Sequence, residues 1–241
     1  MLNIDTAQSS SVQGILLVDK PIDWTSFDVV NYVRRIVAGM EGKKPKNCKV
    51  GHSGTLDPFA SGLLILLVGK QYTRRAGEFS KLNKTYEMTM RLGQTSTTGD
   101  PEGEVSEISD HVPTQAEIEQ ALSKFRGEIQ QIPPAFSAIK VNGVRAYKLA
   151  RSGKEVVIEA RPVVIHHLEL QTYDYPEVKL VADVSSGTYI RTLVEDLGAT
   201  LSTGAYTTQL RRLSVGPFTI DKAIAVADLS PDNLLQNCVL R

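Results

Sequence analysis

The chain has 241 residues, 41% of them hydrophobic and 22% charged, with 27 basic and 27 acidic side chains. That composition fits a soluble globular protein with an ample core, built as one large domain or a main body with a small appendage. The polar start at residues 1–13 has no basic opening and no apolar run, so no signal peptide is visible. The longest apolar run, residues 63–68, is too short to span a bilayer, and Cys48 and Cys238 make neither a disulfide framework nor a metal-ligand spacing. A cytoplasmic protein is expected.

Residues 14–18 read as a short buried strand. Ser26 has the chemistry of an N-cap, and Val29, Val30, Val33, Ile36 and Val37 follow at helical spacing. A lysine-rich loop spans 42–48. Val50 leads into a turn around Asp57, and 63–68 has the length of a fully buried strand. Residues 73–82 read as a helix, and 86–92 alternate as a half-buried strand does. Residues 95–103 form a turn. Thr114 and Glu117 make a capping box for a helix running to Phe125. From Arg126 to Gly153 the chain carries Pro133-Pro134, few apolar runs and a basic tail, the composition of a mobile insertion or binding loop. Residues 163–173 and 178–185 alternate as strands, 188–201 read as a helix, and 207–220 as a strand broken at Gly216-Pro217. Strands with interspersed helices and no regular βαβ beat predict an α+β fold.

Charge is segregated although the total is zero. Residues 41–91 hold ten Lys or Arg against four acids, while 100–120 hold seven acids and no Lys or Arg. A local positive field of this kind suits phosphate binding, and two solvated faces of opposite sign would read the same way.

Four pieces carry chemistry: His52 with Asp57, Lys84-Thr-Tyr86, Gly187-Thr-Tyr-Ile-Arg-Thr192 and Leu210-Arg-Arg212. Asp57 precedes a proline and is flanked by Gly51, Gly54 and Gly62, so a loop of small residues presents one carboxylate. Such a group is a nucleophile, a binder of polar substrate, or simply part of a turn. Tyr86 could equally be an ordinary strand aromatic, and Arg211-Arg212 a solvated pair. The four histidines lack metal-binding spacing. No phosphate-binding loop, nucleophile elbow or dinucleotide fingerprint is present, so no cofactor is called for.

The blocks Gly14-Ile-Leu-Leu-Val-Asp-Lys-Pro21, Gly51-His-Ser-Gly-Thr-Leu-Asp-Pro58, Lys84-Thr-Tyr86, Arg91-Leu-Gly93 and Phe125-Arg-Gly127 run in order along the chain. Ile132-Pro-Pro134, Ser137-Ala-Ile-Lys140, Gly187-Thr-Tyr-Ile-Arg191 and Leu210-Arg-Arg-Leu213 continue the series. Together they resemble the TruB-type tRNA pseudouridine synthases, from about residue 14 to about residue 220. The resemblance implies a mixed, mostly antiparallel central sheet with flanking helices and an RNA-gripping insertion at 126–153. It implies isomerisation of uridine 55 in the tRNA T-loop by base flipping and attack by an aspartate.

On that resemblance Asp57 is the catalytic aspartate, Tyr86 stacks on the uracil and is a possible base, and Arg191 pairs with the aspartate. His52 holds the T-loop flipped out, Tyr189 and Leu210 line the pocket, and Lys20 lies near the site. Flipping a base costs a few kcal/mol, and stacking on an aromatic returns roughly 1–3 kcal/mol. Attack at C1′, attack at C6 and a glycal route all stay open. The resemblance implies a monomer acting on the tRNA T-arm without cofactor, metal, membrane or guide RNA. The chain ends at Arg241, with 221–241 expected as a short C-terminal segment and no PUA domain, where family members usually continue into one. The Asp57 block also resembles the guide-RNA-dependent relatives, and a non-catalytic RNA-binding module that refolds tRNA is a third reading.

Overall fold

The structure, a computed structural model, describes residues 11–137, 139–141, 143–152 and 157–239. Ten residues of the expected polar tail, positions 138, 142 and 153–156 of or beside the expected insertion, and residues 240–241 lie outside the described residues. The chain divides into two compact units, Met1–Ser80 with Pro217–Arg241, and Lys81–Gly216.

The first unit begins with β1 (Gly14–Lys20), α1 (Ser26–Met40), β2 (Val50–Ser53) and β3 (Ser61–Val68), then two short helices, α2 (Lys70–Thr73) and α3 (Ala76–Ser80). β3 pairs antiparallel with β1 along its whole length, from Gly14 opposite Val68 to Lys20 opposite Gly62, and with β2, where His52 faces Leu66. From Gly62 onward every β3 residue is buried, which explains its uninterrupted apolar run. Val29, Val30, Val33 and Val37 of α1 pack on Leu16, Val18, Leu64, Leu66 and Val68.

Two expectations change here. Thr25, not Ser26, caps α1: its hydroxyl accepts from the Asp28 amide at 3.0 Å, and the Asp28 carboxylate accepts from the Thr25 amide at 2.9 Å. Asp28 stands three residues after Thr25 and completes a capping box, whereas a valine stands three after Ser26. The single helix expected at 73–82 is instead the pair α2 and α3. Its few apolar residues, Ala76, Phe79 and Leu82, give too little buried face to stabilise one continuous helix.

The second unit contains β4 (Lys84–Leu92), β5 (Gln94–Ser96), β6 (Val105–Glu107), α4 (Gln115–Ser123) and β7 (Gly127–Gln131). It continues with β8 (Lys140–Val141), β9 (Val144–Arg145), α5 (Ala146–Arg151), β10 (Arg161–Asp174), β11 (Glu177–Val184), α6 (Ile190–Thr200) and β12 (Ala205–Val215). Its sheet runs β12-β4-β11-β10-β7, antiparallel throughout. β4 alternates as its sequence predicts, with Tyr86, Met88, Met90 and Leu92 buried and their neighbours half-buried. Thr114 and Glu117 form the expected box, and Ile118, Ala121 and Leu122 are the buried face of α4. The polar stretch after Arg126 starts as sheet: Gly127–Gln131 pair residue by residue with Arg161–Ile165, so the expected insertion leaves the sheet only after Gln131. An edge strand needs backbone partners more than apolar side chains, which is why composition hid it.

The chain then returns to the first unit as β13 (Phe218–Thr219), β14 (Ile224–Ala225), α7 (Pro231–Asn237) and β15 (Cys238–Val239). β14 runs parallel to β1 and β15 antiparallel to it. Both units mix helices with antiparallel strands, β14 being the parallel exception, as the α+β expectation requires. Among the described residues no helix is long and apolar enough to cross a membrane.

Gly198 allows α6 to lie directly on the start of β12: a Cβ there would collide with the backbone of Gly204 and Ala205. Gly198→Ala should therefore destabilise the protein by about 1–3 kcal/mol through overpacking. A chemical-denaturation midpoint equal to that of the parent would refute this packing account.

Candidate active site

Asp57 sits in the loop joining β2 to β3, and the main chain is tied down at each position around it. One residue before, buried Leu56 donates its amide to Ser26 Oγ at 2.8 Å, and its carbonyl accepts from the same hydroxyl at 3.0 Å. At Asp57 itself the carbonyl accepts from the Ala60 amide at 3.1 Å, closing the turn. One residue after, the Pro58 carbonyl accepts from the Asp23 amide at 2.9 Å and from Lys20 Nζ at 3.3 Å. Lys20 is fully buried and also donates to the carbonyls of Pro21 and Trp24, at 2.7 and 2.6 Å. A buried ammonium is tolerated because carbonyl oxygens replace its water. The carboxylate is thus carried on a turn locked to the end of β1 and the first residue of α1. His52, on β2, is half-buried in the same unit.

In the second unit Tyr86 lies on β4, 7% exposed, between Ala182 of β11 and Arg212 of β12. Leu210 is two register positions along, opposite Met88. Strand alternation separates the two arginines: Arg212 is fully buried and Arg211 half-buried, so a uniformly solvated pair is ruled out. Burial pushes the Lys84 ammonium down to about 8, with the Arg212 charge adding to the effect.

Tyr189 is the N-cap of α6, and Gln131 clamps it from β7. The Gln131 side chain donates to the Tyr189 carbonyl at 3.0 Å and accepts from its amide at 2.7 Å. Two residues on, Arg191 is 5% exposed and forms an ion pair with Asp100 at 3.1 Å. Its guanidinium also donates to the Thr98 carbonyl at 2.8 Å and to the Phe136 carbonyl at 2.9 Å. Asp100 is itself held: Oδ1 accepts from Thr98 Oγ1 at 2.6 Å and from the Glu102 amide at 3.0 Å. Gly99 between them has φ +72°, and a Cβ there would meet the Glu195 carboxylate at 2.7 Å. One helical turn beyond Arg191, burial pushes the Glu195 carboxyl up, opposed by the Arg191 charge.

Comparison with known proteins decides the family. The model described as TruB family pseudouridylate synthase, N-terminal domain, matches residues 42–190, and that of the tRNA pseudouridylate synthase B C-terminal domain matches 191–238. The chain belongs to the TruB family of pseudouridylate synthases. It is 45% identical over 230 residues to tRNA pseudouridine synthase B of Arthrobacter sp. (strain FB24), covering 92% of this chain and 72% of that protein. The protein of the same name from Parabacteroides distasonis is 43% identical over 227 residues, covering 93% and 94%. Among solved structures, a chain of a Cbf5-Nop10-Gar1 complex superposes with a TM-score of 0.68 at 29% identity. A chain of an H/ACA RNP bound to a substrate RNA containing 2'-deoxyuridine does so with 0.67 at 25%. They cover 91% and 94% of this chain, which spans only 54% and 58% of theirs. The pseudouridine synthase fold expected from the sequence is thereby established.

Set against this TruB family frame, the structure groups Lys20, His52 and Asp57 in the first unit and Tyr86, Tyr189, Arg191 and Leu210 in the second. Sequence reasoning missed three supporting residues. Ser26 was read as a cap but grips Leu56. Gln131 fell in a stretch read as insertion. Asp100, one of the seven acids at 100–120 for which a solvated face is one of two readings, is 3% exposed against Arg191. The turn expected at 95–103 is present around Gly99, whose φ is +72°, but a turn alone does not tell that Asp100 meets the distant Arg191. Among the described residues no group of three or more His, Cys, Asp or Glu could hold a metal ion.

Asp100→Asn leaves a buried guanidinium short of its counter-charge, and breaking such a pair costs roughly 3–5 kcal/mol. The variant should lose that much stability and most of its activity. Wild-type melting and turnover would show that the pair is dispensable. Lys84 gives a pH signature. Its folded pKa, about 8, lies below the ordinary 10.5, so in that window the unfolded chain holds more protons. Stability of the parent should rise from pH 8 to 10.5, whereas Lys84→Met should lack this rise; parallel curves for the two proteins would contradict it.

Proposed function

We propose that this chain isomerises uridine 55 in the T-loop of tRNA to pseudouridine. The observation that carries the reading is the family match across residues 42–190, which includes a carboxylate loop anchored at Leu56, Asp57 and Pro58. The higher identity to the two tRNA enzymes, 45% and 43%, than to the H/ACA RNP chain, 25%, favours tRNA as substrate without a guide RNA. The enzyme acts in the cytoplasm as a monomer and without a cofactor. Residues 14–220 supply the catalytic part.

A uridine inside the stacked T-loop cannot turn over, so it leaves the stack first, at a cost of a few kcal/mol. Tyr86 receives the uracil face, and stacking returns about 1–3 kcal/mol. Tyr189 and Leu210 line the pocket, and His52 holds the T-loop with its base out. The Asp57 carboxylate is the nucleophile. The N1–C1′ bond breaks and leaves its electron pair on N1, the uracil turns, and C5 bonds to C1′. The proton on C5 leaves to Tyr86 while N1 gains one. Any bond Asp57 forms in its attack is broken again, so the net change is one proton moved from C5 to N1. Substrate and product are isomers, so no atom or electron has to be supplied.

Arg191 favours the ionised form of Asp57, which attack requires. Asp100 and the carbonyls of Thr98 and Phe136 hold its guanidinium in one orientation. Lys20 acts through the loop, holding the Pro58 carbonyl rather than touching RNA.

Asp57→Asn keeps the shape and removes the charge. It should abolish pseudouridine formation, by about 10³-fold or more, while tRNA binding persists; catalytic carboxylates have effects of that order. Mapping modified uridines in tRNA incubated with the pure parent and the variant is the test. Near-normal product from the variant would remove Asp57 from the mechanism.

A further inference from the structure

Immediately after the serine that grips Leu56, the chain exposes a large aromatic. Phe27 is the second residue of α1 and is 57% exposed, and Ile22, in the segment between β1 and α1, is 59% exposed. A singly exposed apolar side chain is ordinary; what sets Phe27 apart is what holds its ring. Phe27 contributes little to the core of its unit, whose α1 side consists of Val29, Val30, Val33, Val37 and Ala38.

The ring is not loose. Arg34 lies two helical turns on, and helical side chains lean toward the N-terminus, so its guanidinium reaches back over Phe27, 5.7 Å from the ring centroid. That guanidinium is pinned by its own bonds, accepted by Asn31 Oδ1 at 2.9 Å and by the Val50 carbonyl at 3.0 Å. Val50 opens β2, the strand that leads into the Asp57 loop. So the aromatic is connected to that loop from both sides, through Ser26 to Leu56 and through Arg34 to β2.

We infer that the Phe27 ring, backed by the Arg34 guanidinium, is a platform on which a second unpaired base of the RNA substrate stacks, next to the uridine that Asp57 attacks. This rests on the proposed function, since it needs RNA at the Asp57 loop. The chemistry favours a base over a phosphate. Asp28, whose carboxyl is held below its usual range by hydrogen bonds from Thr25, follows Phe27 directly, and Asp23 follows Ile22. Two carboxylates repel a phosphate, but a neutral heterocycle is indifferent to them and gains from an aromatic face beside a cation. When a loop nucleotide flips out, the bases it leaves behind lose a neighbour, and an exposed ring offers a replacement.

The test uses the full-length protein and a T-arm stem-loop RNA carrying 2-aminopurine at one loop position in turn next to the target uridine. Phe27→Ala should weaken binding by about 5- to 150-fold, the range one stacked base spans, and should raise KM by the same factor. Phe27→Trp should restore both. Melting temperature should not move in either variant, because the side chain is exposed. In the parent, 2-aminopurine at one position should be quenched on binding, and Phe27→Ala should abolish that quenching. Binding within twofold of the parent, or quenching that survives in Phe27→Ala, overturns the platform. If the parent binds the RNA but makes no pseudouridine, the proposed function fails instead, and the binding ratio still decides the platform.

Discussion

The first constraint on this molecule is a set of main-chain hydrogen bonds at Leu56, Asp57 and Pro58, which fix the turn that presents the Asp57 carboxylate. Ser26, Lys20 and the Asp23 amide take hold of Leu56 and Pro58, so the loop is rigid at its backbone. The method needs a buried hydroxyl and a buried ammonium. The ammonium, Lys20, ends β1 and the hydroxyl, Ser26, opens α1, so they stand at the two ends of one short connection.

The same economy governs the second unit. Arg191 is buried, and a guanidinium in that setting would be severely penalised without compensation. Asp100 supplies the opposite charge, and two carbonyls take further N–H groups, so the arginine has one orientation rather than several. At the effective dielectric of a protein interior, a pair at this separation interacts by several kcal/mol, about what desolvating the two ions consumes. Net stability is therefore not what the pair is for. It sets direction, and Gln131 does the same for the helix start that carries Arg191.

Much of the fold was legible because it follows from short-range patterns. Runs of apolar residues gave β1 and β3, alternation gave β4, and Thr114 with Glu117 gave the start of α4. What escaped depends on partners distant in sequence. The Thr25 cap has a local signal in Asp28, three residues on, but nothing near Ser26 says that its hydroxyl grips Leu56 thirty residues away. Gln131 belongs to an edge strand whose reason to exist is β10, some thirty residues away. The site residues themselves came from motif resemblance. Their spacing alone would have left Asp57 an ordinary turn residue.

Asp100 is the most instructive failure, because it bears on how a neutral chain handles RNA. Counting charges along residues 100–120 makes that stretch look like an acidic face, repelling phosphates. Several of its seven acids are engaged within the protein, Glu107 with Gln94 and Glu119 with Arg126 among them. Asp100 is buried against Arg191, and Glu117 is occupied at the α4 cap, accepting from the Thr114 amide at 2.7 Å. Lys43, Lys44, Lys46 and Lys49 are all exposed, Lys43 in an ion pair with Glu41 at 2.9 Å. Asp100 is thus withdrawn from solvent, while this basic loop keeps all four lysines at the surface. The field that an approaching phosphate meets near the 42–49 loop is more positive than the formal charge of zero implies, and it decays over about 8–10 Å at physiological salt. Overall neutrality leaves binding governed by where the lysines stand, which is compatible with a protein that must also release its product.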